Sequence, residues 1–156
     1  MVSKTLTSAE LMLLPERVEY IDVAEIREPK QNALGLVVKE MTLNRASAMR
    51  LPPPLDDAIP VDHQSSDLCF EITWDRYDVY QVLNESFDSG NGPEEVYEGN
   101  LFRRYIKSRY LRFVRESFEM VQFLDPGHQH WAIVGQNHIV DVISSAEPSI
   151  RVLQRE

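Results

Sequence analysis

Residues 130–143 read His-Trp-Ala-Ile-Val-Gly-Gln-Asn-His-Ile-Val-Asp-Val-Ile, two runs rich in Val and Ile broken only by Gln136-Asn137. β-branched residues favour the pleated surface of a sheet, and a two-residue break between such runs is the spacing of a tight hairpin. The expected strands are 130–135 and 138–143, with Gly135 opposite His138. That register puts His130 opposite Ile143. His130 and His138 then stand ~17 Å apart at ~3.3 Å per residue, so the two cannot share a ligand. Beyond Glu147-Pro148 a third run, Ser149–Leu153, reads as a final strand.

Upstream of the hairpin, Ser108 is a good helix N-cap, and Leu111, Val114, Phe118 and Val121 recur at three- and four-residue steps. The spacing predicts one principal helix over about 109–123, closed by Asp125-Pro126-Gly127, with that stripe buried on a sheet. Leu68, Phe70, Ile72 and Trp74 alternate with Cys69, Glu71 and Thr73, as in a half-buried strand. Val79–Leu83 is apolar on both faces and reads as a more central strand, paired with the preceding one as a hairpin through the turn at 75–78. Leu101–Ile106 and Leu34–Asn44 read as further strands. Residues 17–26 fit neither period cleanly and are taken as a strand.

Near the start, Thr7-Ser8-Ala9-Glu10 has capping-box spacing and predicts a short helix over 8–14, stopped by Pro15. Residues 51–67, LPPPLDDAIPVDHQSSD, combine four prolines and four aspartates with no base, which rules out a continuous ladder or helix and predicts a long loop. The fold class that follows is α+β: a mainly antiparallel β-sheet of about five to six strands carrying one principal helix. At 156 residues and 43% apolar content a single domain over 1–156 is expected, with 51–67 as a loop within it.

Composition narrows the function classes. The lone cysteine, Cys69, excludes an intrachain disulfide and sits among Asp67, Phe70 and Glu71, a poor setting for a thiolate nucleophile. The first residues lack the apolar core of a signal peptide, and no run approaches the ~20 apolar residues of a membrane span, so a cytoplasmic, non-membrane protein is expected. The triplet Asn84-Glu85-Ser86 is then an accidental glycosylation match. There is no glycine-rich phosphate loop, no G-x-S-x-G, no H-E-x-x-H and no paired C-x-x-C, hence no expected cofactor and no motif-borne catalytic residue.

One cluster invites a chemical reading. His128 and His130 project from one strand face near Asp125, a partial ligand set for a small hydrolase or metal-dependent enzyme. A structural histidine held by a backbone carbonyl is the simpler reading. Glu85 and Asp141 are ambiguous in the same way, either solvated polar residues of a strand or an acid and base.

Charge is the stronger signal. Residues 51–98 hold 12 acids and one base, whereas 99–115 hold six bases and no acid, and the chain carries a net −9. The two blocks either face one another or meet partners. Nucleic acid is not expected, since the acidic remainder would repel phosphate. The preferred expectation is a non-enzymatic inhibitor- or immunity-like module that binds a basic protein through Asp56, Asp57, Asp62, Asp67, Asp75, Asp78 and Glu85.

Overall fold

The computed structural model describes residues 5–12, 18–43, 61–62, 68–88, 90, 92–118 and 127–153. In chain order these form β1 (Thr5–Leu6), α1 (Ser8–Met12), β2 (Tyr20–Arg27), β3 (Leu34–Leu43), β4 (Val61–Asp62), β5 (Cys69–Trp74), β6 (Val79–Asn84), a 3₁₀ turn (Glu85–Phe87), β7 (Val96–Gly99), β8 (Phe102–Lys107), α2 (Arg109–Ser117), β9 (Gln129–Val134), β10 (His138–Ser144) and β11 (Ser149–Leu153). The expected antiparallel architecture with one main helix forms, but it is split into two sheets. Sheet one runs β1-β11-β5-β3-β2 with β4 added on β3, and sheet two runs β6-β10-β9-β8-β7.

Residues paired directly across an antiparallel ladder share a face, so the register reads out what each sheet buries. In sheet one Leu6, Ile150, Ile72, Leu36 and Ile26 form one continuous row, and Phe70, Val38, Trp74 and Leu34 lie on the same face. A bulge between Val23 and Glu25 shifts the parity of β2, which lets Ile21 and Val23 face inward as well as Ile26. In sheet two the inward rows are Val82, Val140, Ile133 and Phe102, then Tyr80, Val142, Trp131 and Arg104. One apolar cluster containing Trp74, Phe70, Ile72, Leu36, Trp131, Ile133, Val140 and Val142 joins the two inner faces.

The hairpin tip couples the sheets at an edge. Gln136 N–H donates to Ile21 O at 2.8 Å. The Asn137 side chain accepts from Val23 N–H at 3.0 Å and donates to Val23 O at 2.9 Å, satisfying backbone groups of the edge strand β2 beside its bulge. At the β7–β8 turn, Gly99 has φ +85°, and a Cβ there would stand 2.0 Å from Phe102 O, so only glycine closes this hairpin.

Several expectations hold. The hairpin register is as read, with Ile143 opposite His130 and Gly135 N–H donating to His138 O at 2.9 Å. Ser149–Leu153 is a strand, and Thr7 and Glu10 form the reciprocal capping box. Other expectations need correction. The strand at 79–83 does not form a hairpin with 69–74: β5 pairs with β3 and β11, while β6 is an edge strand of the other sheet on β10. The turn between them crosses from sheet to sheet, since Tyr77 N–H donates to Asn32 O and Asp78 N–H to Ile143 O, each at 2.9 Å.

The main helix ends at Ser117 rather than near 123, because Phe118 adopts extended dihedrals (φ −118°, ψ 110°) as its C-cap. Its predicted stripe is buried only at Val114, with Leu111 half-buried and Phe118 48% exposed; Val121 lies outside the described residues. Leu68 precedes β5 and is also exposed, while Phe70, Ile72 and Trp74 are buried as expected. Among the described residues no helix is long and apolar enough to cross a membrane.

Candidate functional site

The outer face of sheet two is where α2 lies, and the register supplies its contents. One row runs Gln81, Asp141, Ala132, Arg103; the next runs Val79, Ile143, His130, Tyr105, Tyr97. Polar side chains on a solvated sheet face are ordinary, but here two of them are out of water: His130 is 2% exposed and Asp141 9%. A buried polar group is stable only with its partners in place.

Those partners form a chain. His130 Nε2 lies 2.8 Å from Asp141 Oδ1, and Gln81 Nε2 donates to Asp141 Oδ2 at 2.8 Å. On the other side of the ring, Ser108 Oγ lies 2.7 Å from His130 Nδ1 and accepts from Leu111 N–H at 2.8 Å as the N-cap of α2. With a neutral imidazole beside an ionised carboxylate, which only accepts, the ring proton sits on Nε2, Nδ1 is an acceptor, and the Ser108 hydroxyl donates to it. Every hydrogen from Leu111 N–H through Ser108 and His130 points toward Asp141. Such a unidirectional chain polarises each of its members.

Aromatic rings enclose the imidazole. Tyr105 stacks on it with centroids 4.1 Å apart and planes 10° apart, and Tyr110 of α2 meets it edge-on at 5.4 Å. Burial, with the Asp141 charge adding to it, pushes the Tyr110 phenol up to about 12. Burial also raises Tyr105, against a smaller opposing effect of Arg103. Both rings therefore stay neutral near pH 7 and remain hydrogen-bond donors.

A cleft of about 500 Å³ opens over this network, lined by His130, Asp141, Gln81, Tyr105, Tyr110 and Phe113, and its rim mixes Arg103, Arg109 and Arg112 with the carboxylates of Asp88, Glu95 and Glu116. A second cavity of about 500 Å³ opens on the Ser108 side, lined by Pro93, Glu94, Lys107, Ser108, Arg109 and Arg112. Arg109 and Arg112 line both. The second cavity holds three cationic side chains against the single carboxylate of Glu94, which pairs with Arg112 at 3.0 Å. Among the described residues Arg109 has no carboxylate at ion-pair distance.

The structure distributes the sequence candidates widely. Asp56, Asp57, Asp67 and Asp125 lie outside the described residues, and Asp62 is described through its backbone, paired with Thr42. Asp75 is 84% exposed and bridges to Lys30 at 3.2 Å, while Glu85 is exposed in the 3₁₀ turn. Asp78 is instead half-buried, its side chain only 9% exposed, with Oδ2 2.7 Å from His128 Nε2. His128 and His130 thus each face a different carboxylate, and among the described residues no cluster of three or more His, Cys, Asp or Glu side chains is placed to hold a metal. Part of the acidic block faces the basic one, through Arg104 with Glu98 at 2.6 Å and Arg112 with Glu94.

Asp141, Ser108, Gln81 and Tyr110 are the members of this site that sequence reading did not assemble. The signal for Asp141 was present: once Ile143 is set opposite His130, Asp141 falls one step along the same face, diagonal to the imidazole. Comparison with protein-family models, curated proteins and solved structures finds no match.

Proposed function

We propose that this chain is a small-molecule-binding protein whose ligand sits in the cleft on the outer face of sheet two and carries a carboxylate at one end. The observation that carries this reading is the pair Arg109 and Arg112, which borders both cavities above a buried Ser108–His130–Asp141–Gln81 network. Guanidinium groups bind a carboxylate in bidentate fashion. Neutral Tyr105 and Tyr110, with Leu83, Phe113 and Ile139 on the cleft wall, suit the uncharged remainder of the ligand. This reading is preferred to an acidic partner-binding face because Arg109, unlike Arg112 with Glu94, has no carboxylate at ion-pair distance among the described residues.

The test is an NMR titration of the isotope-labelled chain with glutarate, and with glutaramide as the uncharged control. Shifts are expected at Arg103, Tyr105, Arg109 and Tyr110 with glutarate alone, and Arg109→Gln is expected to weaken binding by about tenfold, the equivalent of ~1.4 kcal/mol. Equal response to the uncharged diamide, or shifts confined to sheet one, would overturn the reading.

A further inference from the structure

We infer that Ser108 is a nucleophile and that the site hydrolyses carboxylic esters whose acyl part ends in a second carboxylate. The inference rests on the proposed carboxylate site at Arg109 and Arg112 and adds a reaction on its Ser108 side, in the second cavity that the two arginines share with the cleft. A serine hydroxyl is a weak nucleophile until a neighbouring base takes its proton, and the base must itself be held in one tautomer by a third group. Both requirements are met by geometry. Ser108 Oγ is 2.7 Å from His130 Nδ1, His130 Nε2 is 2.8 Å from Asp141 Oδ1, and Gln81 fixes the other carboxylate oxygen at 2.8 Å. The relay uses the imidazole with Nδ1 toward the serine, which is chemically equivalent for a ring with one acceptor and one donor nitrogen.

The base and acid are buried, while Ser108 is half-buried and lines the cationic cavity, so a substrate reaches the oxygen but water does not surround the relay. The oxygen accepts from Leu111 N–H and donates to His130, which leaves one lone pair for attack. Its position at the start of a nine-residue helix leaves the first-turn N–H of Arg109, the residue after the serine, without an intrahelical acceptor. An oxyanion formed on the serine-bound carbon can take that hydrogen bond.

The step balances without any further reagent. Ser108 Oγ bonds to the ester carbonyl carbon as its proton passes to His130 Nδ1, and the tetrahedral oxyanion forms. Collapse breaks the bond to the alcohol oxygen, which leaves with the proton from His130. Water then attacks the acyl-serine, giving its proton to His130 and, on collapse, restoring the hydroxyl of Ser108 and releasing the acid. Ester and water become acid and alcohol. The free carboxylate of the acyl part meets Arg109 and Arg112 beside the serine, which selects a half-ester of a dicarboxylic acid over a neutral ester.

The full chain is incubated with a fluorophosphonate probe and read by intact mass, and assayed with 4-nitrophenyl hemiglutarate and 4-nitrophenyl butyrate. One probe per chain on Ser108 is expected, with the hemiglutarate turned over about tenfold or more faster than the butyrate. Ser108→Asn keeps a helix-capping side chain, so its thermal melt should match the wild type while turnover falls ~10³-fold or more. Asp141→Asn should cut kcat by ~10²–10⁴-fold through the wrong tautomer. An unlabelled Ser108 together with ester turnover no faster in the wild type than in Ser108→Asn overturns the inference. If glutarate still binds through Arg109 in that case, the binding proposal stands alone. If Ser108 is labelled but Arg109→Gln leaves the preference for hemiglutarate unchanged, the nucleophile stands and the carboxylate-binding reading falls.

Discussion

The two outward faces of this molecule handle charge in opposite ways. On sheet one the outer row Thr5, Arg151, Glu71, Val37, Glu25 places Glu71 between Arg151 and Arg27, with both guanidinium groups about half exposed. The Glu71 carboxylate is only 15% exposed between them, but its cationic partners reach water, and such pairs contribute about 1 kcal/mol or less each. On sheet two the corresponding face is partly covered by α2, and its histidine and aspartate lie out of water. Removing polar groups from water without full compensation costs several kcal/mol, so a buried, fully bonded network is a more informative feature than a solvated one. The contrast locates the site: the sheet whose outer face is dry and polar, not the one whose outer face is wet and charged.

The largest effect that would break the contrast is at Asp141. Asp141→Ala strips the acceptor from both His130 and Gln81, and urea denaturation should show a loss of about 3 kcal/mol. A loss below about 1 kcal/mol would mean the network is solvated after all. Next is the helix that roofs the face. Val114 is 1% exposed and Val114→Ala should cost about 2 kcal/mol, whereas Phe118→Ala, at an exposed C-cap, should cost no more than about 0.5 kcal/mol. Reversal of that order would restore the longer helix read from the sequence.

Glu71→Gln on sheet one should cost about 1 kcal/mol at low salt, shrinking toward zero as ionic strength rises. Salt should leave the Asp141→Ala difference nearly unchanged. The smallest effect concerns Tyr110. Its folded value of about 12 lies above the ordinary 10, so the neutral phenol favours the fold; that contribution is complete below pH 10 and is lost as pH climbs from 10 toward 12. Tyr110→Phe should therefore flatten the alkaline decline in stability and leave stability at pH 7–9 on a plateau, measured by urea titration across pH.

Much of the local structure was legible because it is written in short-range chemistry. The Val/Ile runs around Gln136-Asn137 determined the hairpin and its register, Thr7-Ser8-Ala9-Glu10 the capping box, and Ser108 the helix start. The pairing of β5 and β6 was not legible. Alternation says that a strand has an apolar face but not which sheet receives it, and the crossing at Tyr77 and Asp78 depends on backbone bonds to Asn32 and Ile143, far off in sequence. The helix was overrun because apolar spacing continues past Ser117 while the backbone at Phe118 does not.

The site was half legible. His130 stood out as a histidine and Ser108 as a cap, but their meeting requires β8 to lie beside β9, so that the residues following Lys107 bring the serine to the imidazole. Asp141 stayed ambiguous between a solvated strand residue and an acid or base because nothing local announces that α2 covers it. Charge counting was misled in part for a related reason: Asp78, placed with an exposed acidic face by composition, is an inward carboxylate facing His128.

The ordered polar chain on sheet two is tested most directly by the two-bond ¹H–¹⁵N imidazole spectrum of uniformly labelled protein at pH 7, with His130 assigned by its absence in His130→Gln. The expected result is a single Nε2–H tautomer, with Nδ1 at an acceptor shift that moves when Ser108 is replaced by Asn. A His130 signal averaged between tautomers, or one protonated at Nδ1, would contradict the relay from Ser108 to Asp141 and with it the site.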